Sequence, residues 1–539
     1  MSQLTFSWFD YALFFGMLAL SVIIGIYFGF VDRGKQTKKE YVLGGKNMDV
    51  LPISVSLIAS QISGITLLSV PADIYKYGSN YIWLCLSIPI ACVIHNYIFL
   101  PLFFQLQLTS IYEYLSLRFD KRVELIGSFL FILSTFLHNP IVIYIPALAL
   151  AQATDIGLYS TIISVCIICT FYTTVGGFKA VVWTDVLQCI GMFGSIGAVV
   201  YLGAKSVGGF SEVFRTALRG DRMDLFELKI DPMVRDGFWP VIVGGSIQYV
   251  TYICFNQGYM QKFLAIRTLQ KAKRALLIYC IGVIGTIAAS VLTGNILYTK
   301  YYDCDPFLTK KIKRSDQLLP HFVIEISKNL PGLPGIFIAG VFSAALSTFS
   351  ASLNTAASAI YQDFILPYSS SIGKERESVI LKIIVIICGV ICTVLALFVN
   401  KVSGVLSFSI ALNSIVGGPL LGIFILGTMF PSANSKGAFY GCISGLIFLS
   451  WIVIGNQWYL SQDVFAKPIS ASACSNSSTV TKVIREVPFV LYRISFWYNT
   501  LIGSIVVIVV GLAVSSFTKD QSRLVNSSLL YNIKYKLFK

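Results

Sequence analysis

Polar and small residues interrupt the apolar segment 51–75, where an uninterrupted membrane helix would be expected. The segment is long and apolar enough to cross a bilayer. Pro71 and Gly64 weaken the helical hydrogen-bond ladder. Lipid offers hydroxyl and amide side chains no hydrogen-bond partner. The pattern therefore predicts a helix that breaks at mid-membrane and turns freed carbonyl oxygens toward a small polar ion site. The interrupting residues are Ser56, Ser60, Gln61, Ser63, Gly64 and Thr66.

Hydroxyl side chains recur along a second apolar segment, 335–360. Ser343, Ser347 and Ser350 lie about one turn apart and Thr348 is adjacent, so these hydroxyls fall on or near one helix face. They could simply bond carbonyls of their own helix one turn back. Together with the broken segment, however, two hydroxyls and a few free carbonyls would supply the oxygen ligands that a hard cation such as sodium prefers.

The motif 172–188, YTTVGGFKAVVWTDVLQ, contains an aspartate near the edge of an apolar segment. Thr184 could cap a helix, with Asp185 at the positive end of its dipole. Alternatively, Asp185 and Gln188, one turn apart, could face inward and bind an ion or gate its exit.

A third apolar segment, 237–258, repeats the combination of glycine and polar residues at mid-span. It lies five spans after segment 51–75, which is the offset that an internal inverted repeat would produce between two broken helices. We therefore predict repeats over about 51–204 and 237–430. The interrupting residues here are Gly244, Gly245, Ser246, Gln248, Asn256 and Gln257.

The three histidines, His95, His138 and His321, are far apart in the chain. His138 precedes Asn139 and Pro140 near mid-span, and it could either contact a substrate or pack within the protein. The sequence contains no recognisable catalytic triad, metal-ligand cluster or nucleotide-binding motif. We predict a protein that is not an enzyme and needs no cofactor.

Composition sets the class of protein. Of 539 residues, 55% are hydrophobic and 12% are charged, and the mean hydropathy is +0.75. Soluble domains carry about 25% charged residues, so this chain is expected to cross the membrane many times. The net charge of +15 is dispersed among loops and does not indicate nucleic-acid binding.

Thirteen spans are predicted, all within a transmembrane domain of residues 1–518 that is followed by a short cytoplasmic tail, 519–539. The first apolar run has neither a basic leader nor a small-residue cleavage site, so we interpret it as a true span. The spans are 7–30, 51–75, 80–104, 123–151, 157–176, 184–204, 237–258, 275–299, 335–360, 379–400, 403–430, 437–456 and 496–517.

The basic residues predict the orientation. Short loops rich in lysine and arginine follow spans one, three and seven, the last of these containing Lys262 and Arg267. Such loops favour the cytoplasm. The N-terminus is then extracellular, the C-terminus is cytoplasmic, and Asn476 is a glycosylation site in an external loop. We expect a location in the plasma membrane; the sequence does not indicate the oligomeric state.

Ten of the twelve cysteines fall within apolar runs, where they are expected to act as small hydrophobic side chains. Cys304 and Cys474 are the two in predicted external loops. One disulfide between them and two unpaired thiols are both compatible with the sequence.

Several motifs together resemble the sodium:solute symporter family over essentially the whole chain. Within that family, the sequence is similar to the branch that holds the sodium-coupled monocarboxylate, multivitamin and iodide transporters. The motifs are YTTVGGFKAVVWTDVLQ at 172–188, GGPLLG at 417–422 with the glycines and prolines that follow it, YVLGGKNM at 41–48 and DQLLP at 316–320.

This resemblance implies an all-α, leucine-transporter-like fold, with an inverted repeat of spans 2–6 and 7–11, and sodium-driven uptake of a small solute across the bilayer. It places one sodium ion on the carbonyls of Ala59, Ile62 and Ala344 and the hydroxyls of Ser347 and Thr348. It also suggests a second sodium position, formed by Asp185, Gln188, Gln257 and Ser350.

The substrate is expected near Gln61, Ser63, Gly64 and Gln248. The sugar-transporting branch carries a histidine after its break, and residues 61–66 here contain none, which disfavours hexoses. Monocarboxylates, vitamin-like organic anions and inorganic anions such as iodide remain as alternatives. A sodium-conducting sensor that does not accumulate substrate is a rival from another class.

Overall fold

The computed structural model is almost entirely helical. In the part of the chain that it describes, extended pairing is limited to one isolated bridge between Met48 and Ile266. The predicted glycosylation site Asn476 and most of the predicted tail lie outside that part. The structure describes residues 6–31, 38–327, 330, 332–368, 374–399, 405–459, 466–470, 474, 489–518 and 526–530.

Nineteen α-helices occur within these ranges. The first ten are α1 (Trp8–Ile26), α2 (Lys38–Leu43), α3 (Val50–Gln61), α4 (Val70–Tyr77), α5 (Leu84–Ile94), α6 (Leu100–Leu106), α7 (Glu113–Arg118), α8 (Lys121–Ala153), α9 (Leu158–Ser206) and α10 (Phe210–Arg219). The others are α11 (Gly245–Phe255), α12 (Gln257–Leu264), α13 (Leu269–Lys300), α14 (Leu318–Ile326), α15 (Leu333–Ala359), α16 (Lys374–Ala396), α17 (Val405–Met429), α18 (Ser435–Tyr459) and α19 (Asn499–Phe517).

Ten helical stretches among the described residues are long and apolar enough to cross a membrane, and one bent pair makes an eleventh. Helix α9 has 49 residues and is kinked at Gly177, and each of the two parts on either side of the kink is long enough for about one crossing. The shorter apolar helix Pro240–Phe255 supplies another. The structure therefore accommodates all thirteen predicted spans.

Spans five and six differ from the prediction in how they are joined. The sequence predicts a loop before Thr184, with Thr184 as a candidate helix cap. The structure instead joins the two spans by a kink in α9 at Gly177, where φ is 61° and ψ is −156°, and the residues on both sides of it are helical. Thr184 lies inside the helix and its hydroxyl donates to the Val181 carbonyl at 3.0 Å. The capping interpretation was therefore wrong.

Helix α15 lies at the centre of the molecule, packed against α1, α3, α8 and α9. Small residues allow this approach: a Cβ at Gly340 would lie 2.2 Å from Cβ of Ser195 on α9. The resulting contact is too close for any larger side chain and fixes α15 beside α9.

The long connections are partly ordered by helices α10 and α14. Cys304 and Cys474 form a disulfide across a separation of 170 residues, with their Cα atoms 5.4 Å apart. The other ten cysteines are unpaired, and all but the half-buried Cys85 are buried.

Candidate functional site

The second span breaks where its polar residues predicted. Helix α3 ends at Gln61, Ile62 adopts extended angles, and the chain resumes in a helical direction bent by 59°. The Ser63 amide would ordinarily bond the Ala59 carbonyl, but it points to the Thr66 hydroxyl at 3.4 Å. Carbonyl oxygens at the end of α3 are therefore left without helical partners.

Thr348 on α15 faces this break. Its Oγ1 lies 3.4 Å from the carbonyl oxygen of Ser60, 3.3 Å from that of Ile62 and 3.1 Å from that of Ala344. Three of the five groups expected at the first sodium position, those of Ile62, Ala344 and Thr348, thus converge. A cation requires several oxygens that face the same point. The one hydrogen among these groups, on the Thr348 hydroxyl, can rotate away from a bound ion.

The other two expected ligands, Ala59 and Ser347, lie nearby but do not contact Thr348 Oγ1 in the same way. Ala59 is fully buried in the last turn of α3. Ser347, adjacent to Thr348, directs its Oγ away from the break and donates to Asp185 Oδ1 at 2.6 Å. An ion that used all five groups would require the Ser347 hydroxyl to rotate away from Asp185.

Asp185 is held in a buried ionic cluster. Its Oδ2 lies 3.1 Å from Nζ of Lys262 and accepts the Ser56 hydroxyl at 2.5 Å. Lys262 also donates to the Ser56 carbonyl at 3.0 Å and to Oγ of Ser60 at 2.5 Å. The side chains of Asp185 and Lys262 are 0% and 2% exposed, so each charge depends on the other for compensation.

Lys262, which the sequence pattern places among the cytoplasmic loop cations, is instead buried inside the protein. It belongs to α12, a short helix that continues inward after the extended residue Asn256. The signal that could have located it is Asn256. A break placed there at mid-membrane would leave too few residues before Lys262 for the chain to leave the membrane, whereas the predicted span ends at residue 258.

The residues suggested for a second sodium position are only partly assembled. Gln188 Nε2 is 3.4 Å from Ser21 Oγ, and its buried Oε1 has no partner among the described residues. Ser350 donates to the Ser347 carbonyl at 3.2 Å. The side chain of Gln257 is engaged elsewhere, with Thr109 O at 2.8 Å and Ile111 N at 2.9 Å.

A cavity of about 180 Å³ adjoins the break, a volume of about six water molecules. Three of the four residues predicted to contact substrate line it, and the fourth, Gly64, instead faces Pro146 at a distance that excludes a Cβ. The polar lining includes Gln61, Ser63, His138, Gln248, Asn256, Thr348, Ser352, Ser409 and Asn413.

Two amide side chains present donors rather than acceptors to this cavity. Oε1 of Gln61 accepts the hydroxyls of Tyr259 at 2.6 Å and Tyr279 at 3.2 Å. Oε1 of Gln248 accepts the hydroxyls of Thr500 and Ser414. Because both carbonyl oxygens are occupied, the remaining hydrogen-bonding capacity of each amide is its N–H groups.

The ion position and the cavity share side chains. Ser352 lies one turn after Thr348 on α15 and donates to Oδ1 of Asn139 on α8 at 2.9 Å. Both α15 residues line the cavity. An ion at the break and a solute in the cavity would therefore act on the same helix face.

Comparisons with known proteins agree with this arrangement. The sodium:solute symporter family matches residues 41–445. Sodium-coupled monocarboxylate transporter 1 of Xenopus laevis is 37% identical, with 98% of this chain and 88% of that protein aligned. The sodium/iodide cotransporter of Homo sapiens is 38% identical, with 87% and 74% aligned.

A solved structure gives the same picture of the fold. The substrate-bound, outward-open state of a Na⁺-coupled sialic acid symporter superimposes with a TM-score of 0.79 and 25% identity. The alignment covers 95% of this chain and 98% of the symporter.

Proposed function

Because the chain belongs to the sodium:solute symporter family, it is a sodium-coupled symporter with a leucine-transporter-like fold, and we propose that its substrate is a small monocarboxylate. The observation that carries this proposal is the cavity beside the broken span. Amide donors from Gln61 and Gln248 line it, the oxygen cluster at Thr348 forms its edge, and its volume suits a short organic anion.

The first sodium ion is proposed to bind at the break, on the carbonyls of Ala59, Ile62 and Ala344 and the hydroxyls of Ser347 and Thr348. The convergence of carbonyls on Thr348 supports this site. Binding there would tie α15 to the break and favour one conformation of the cavity. The ion shifts the equilibrium only by its difference in affinity between the two states.

A second sodium ion is proposed at Asp185, with Gln188 and Ser350. Lys262 Nζ holds that position with the contacts that a cation would make: a carboxylate, a carbonyl and a hydroxyl oxygen. Sodium and the ammonium group therefore compete for Asp185. The engagement of Gln257 with residues 109–111 removes it from this set.

An inorganic anion such as iodide is the second candidate substrate. The 38% identity to the human sodium/iodide cotransporter favours it, and N–H donors suit either kind of anion. A carboxylate differs because its oxygens accept directional hydrogen bonds, whereas a spherical halide has no preferred direction.

The proposal also covers the cellular location and the membrane topology of the protein. We assign the protein to the plasma membrane, with an extracellular N-terminus, a glycosylated Asn476 and a cytoplasmic tail over 519–539. The transporter domain, 1–518, would contain inverted repeats over about 51–204 and 237–430. Its activity is transport without covalent chemistry.

Uptake in cells expressing the full chain tests the function. Labelled lactate, nicotinate, biotin, pantothenate, iodide, choline and glucose are compared in sodium medium and in choline or lithium medium. Sodium-dependent accumulation of a monocarboxylate is expected. Currents without accumulation of any solute, despite normal surface expression, would favour the sensor, and accumulation of iodide alone would favour the second candidate.

A further inference from the structure

His138 occupies a defined place in the wall of the cavity beside the broken span. It lies on α8 and lines the cavity together with Ser409 and Asn413 of α17. Its Nδ1 is 3.1 Å from the Ser409 hydroxyl and 3.1 Å from the Asn413 amide nitrogen. A histidine that only filled space would not need two polar partners on one ring nitrogen.

These partners determine which ring nitrogen carries the proton. Asn413 directs its amide nitrogen, which is a donor only, to Nδ1, while its Oδ1 faces the Ser134 hydroxyl at 3.1 Å. Nδ1 of His138 must therefore accept. The imidazole is then neutral with its proton on Nε2, which has no hydrogen-bond partner among the described residues.

Conditional on the proposed symport of a monocarboxylate, we propose that His138 binds the substrate carboxylate by donating a hydrogen bond from Nε2. The Asn413 and Ser134 side chains are positioning residues that hold the imidazole in this tautomer. Together with Gln61 on α3, His138 on α8 gives the cavity N–H donors from two helices. His138 would thereby select directional acceptors, such as carboxylates, over halides.

The position of His138 also connects this contact to sodium. The next residue, Asn139, accepts the hydroxyl of Ser352, one turn from Thr348. A carboxylate held by His138 and an ion held at the break would draw α8 and α15 together. Each ligand is thus expected to increase the affinity for the other, because coupling of binding free energies is reciprocal.

The test compares His138→Leu, which removes the donor, with His138→Gln, which retains an N–H group. Sodium-dependent uptake of labelled lactate and of iodide is measured per molecule at the cell surface. We expect His138→Leu to raise the KM for lactate by about tenfold or more, as for loss of a hydrogen bond to a charged group, and His138→Gln to stay within about threefold. The KM or inhibition constant for iodide should change far less than that for lactate.

Two results would overturn the proposal while leaving the proposed function intact. One is an unchanged lactate KM in His138→Leu. The other is an equal loss of lactate and iodide uptake in both variants at normal surface expression, which would indicate a structural role. If the unmodified protein accumulates no carboxylate in sodium, the monocarboxylate function fails, and this proposal fails with it.

Discussion

The buried Asp185–Lys262 pair decides how single residues can be changed in this site. Both side chains are almost fully enclosed, and Ser56, Ser60 and Ser347 complete their hydrogen bonds. Attraction within such a pair offsets the cost of removing each charge from water, but a single remaining charge has no such compensation. The pair should therefore tolerate joint removal better than the loss of either partner.

We expect Lys262→Met to destabilise the protein by about 3–5 kcal/mol, since it leaves the Asp185 carboxylate buried and unpaired. The double variant Asp185→Asn with Lys262→Met should recover most of this loss. The stability of each variant is measured by the melting temperature of the detergent-solubilised protein and by its surface expression. Equal destabilisation in the single and the double variant would show that the charges do not compensate one another.

Thr348→Ala is expected to raise the sodium concentration for half-maximal uptake by about tenfold or more, because it removes an oxygen that meets two carbonyls at the break and that of Ala344 on α15. Ser343→Ala on the same helix is the matched control, since among the described residues that hydroxyl bonds the Ala339 carbonyl of its own helix and no other group. Uptake measured as a function of sodium concentration, at saturating substrate, distinguishes the two variants. Matching sodium dependence in both variants would remove Thr348 from the ion site.

At the scale of elements, the sharp bend in α9 depends on a backbone conformation that only glycine adopts easily. Gly177 has φ 61°, and a Cβ there would approach the ring of Tyr41 to 2.7 Å. Tyr41 also donates to the Thr174 carbonyl at 3.3 Å. The bend therefore sets the position of Asp185, eight residues later. It also allows α2, which contains Tyr41, to pack against α9.

Gly177→Ala should cost about 1–3 kcal/mol from backbone strain and displace Tyr41. We expect reduced surface expression and a lower melting temperature. Gly194→Ala is the control within the same helix, because a Cβ there meets nothing within 4 Å. A melting temperature unchanged by Gly177→Ala would mean that the bend is set by packing rather than by the glycine.

Sequence patterns predicted those elements whose signals are local. The break at Gln61 and the hydroxyl row on α15 followed from residue types that weaken a helix or supply oxygens within one or two turns. The partners of Asp185 could not be predicted in this way, because Ser56 and Lys262 are 129 and 77 residues away in the chain. Gln257 was assigned to that group by resemblance, yet its amide bonds the backbone at 109–111. Such contacts are set by how helices pack, which periodicity alone does not determine.

For the whole molecule, the disulfide between Cys304 and Cys474 joins the connection after α13 to the one after α18. A closed loop of this length restricts the unfolded chain strongly, by about 5 kcal/mol in the chain-entropy description. The link thus stabilises the relative placement of two distant parts of the fold.

Replacing Cys304 and Cys474 together by serine should lower the melting temperature, and a membrane-impermeant reductant should lower that of the unmodified protein similarly. The reductant should have no further effect on the double variant. A reductant effect of the same size in both proteins would show that the disulfide is not responsible. Sodium affinity should be unchanged in the double variant, because neither cysteine contacts the ion site.

The mutual cancellation of Asp185 and Lys262 has an electrical consequence. Moving one elementary charge through the full membrane field is worth about 2.3 kcal/mol per 100 mV. The pair adds no net charge to the part of the protein that surrounds the cavity. A carrier loaded with one monocarboxylate and the two proposed sodium ions then carries one net positive charge, and its uptake should produce a steady inward current that depends on voltage. Uptake without such a current would indicate a single sodium ion, and the size of the current relative to the substrate flux gives the stoichiometry.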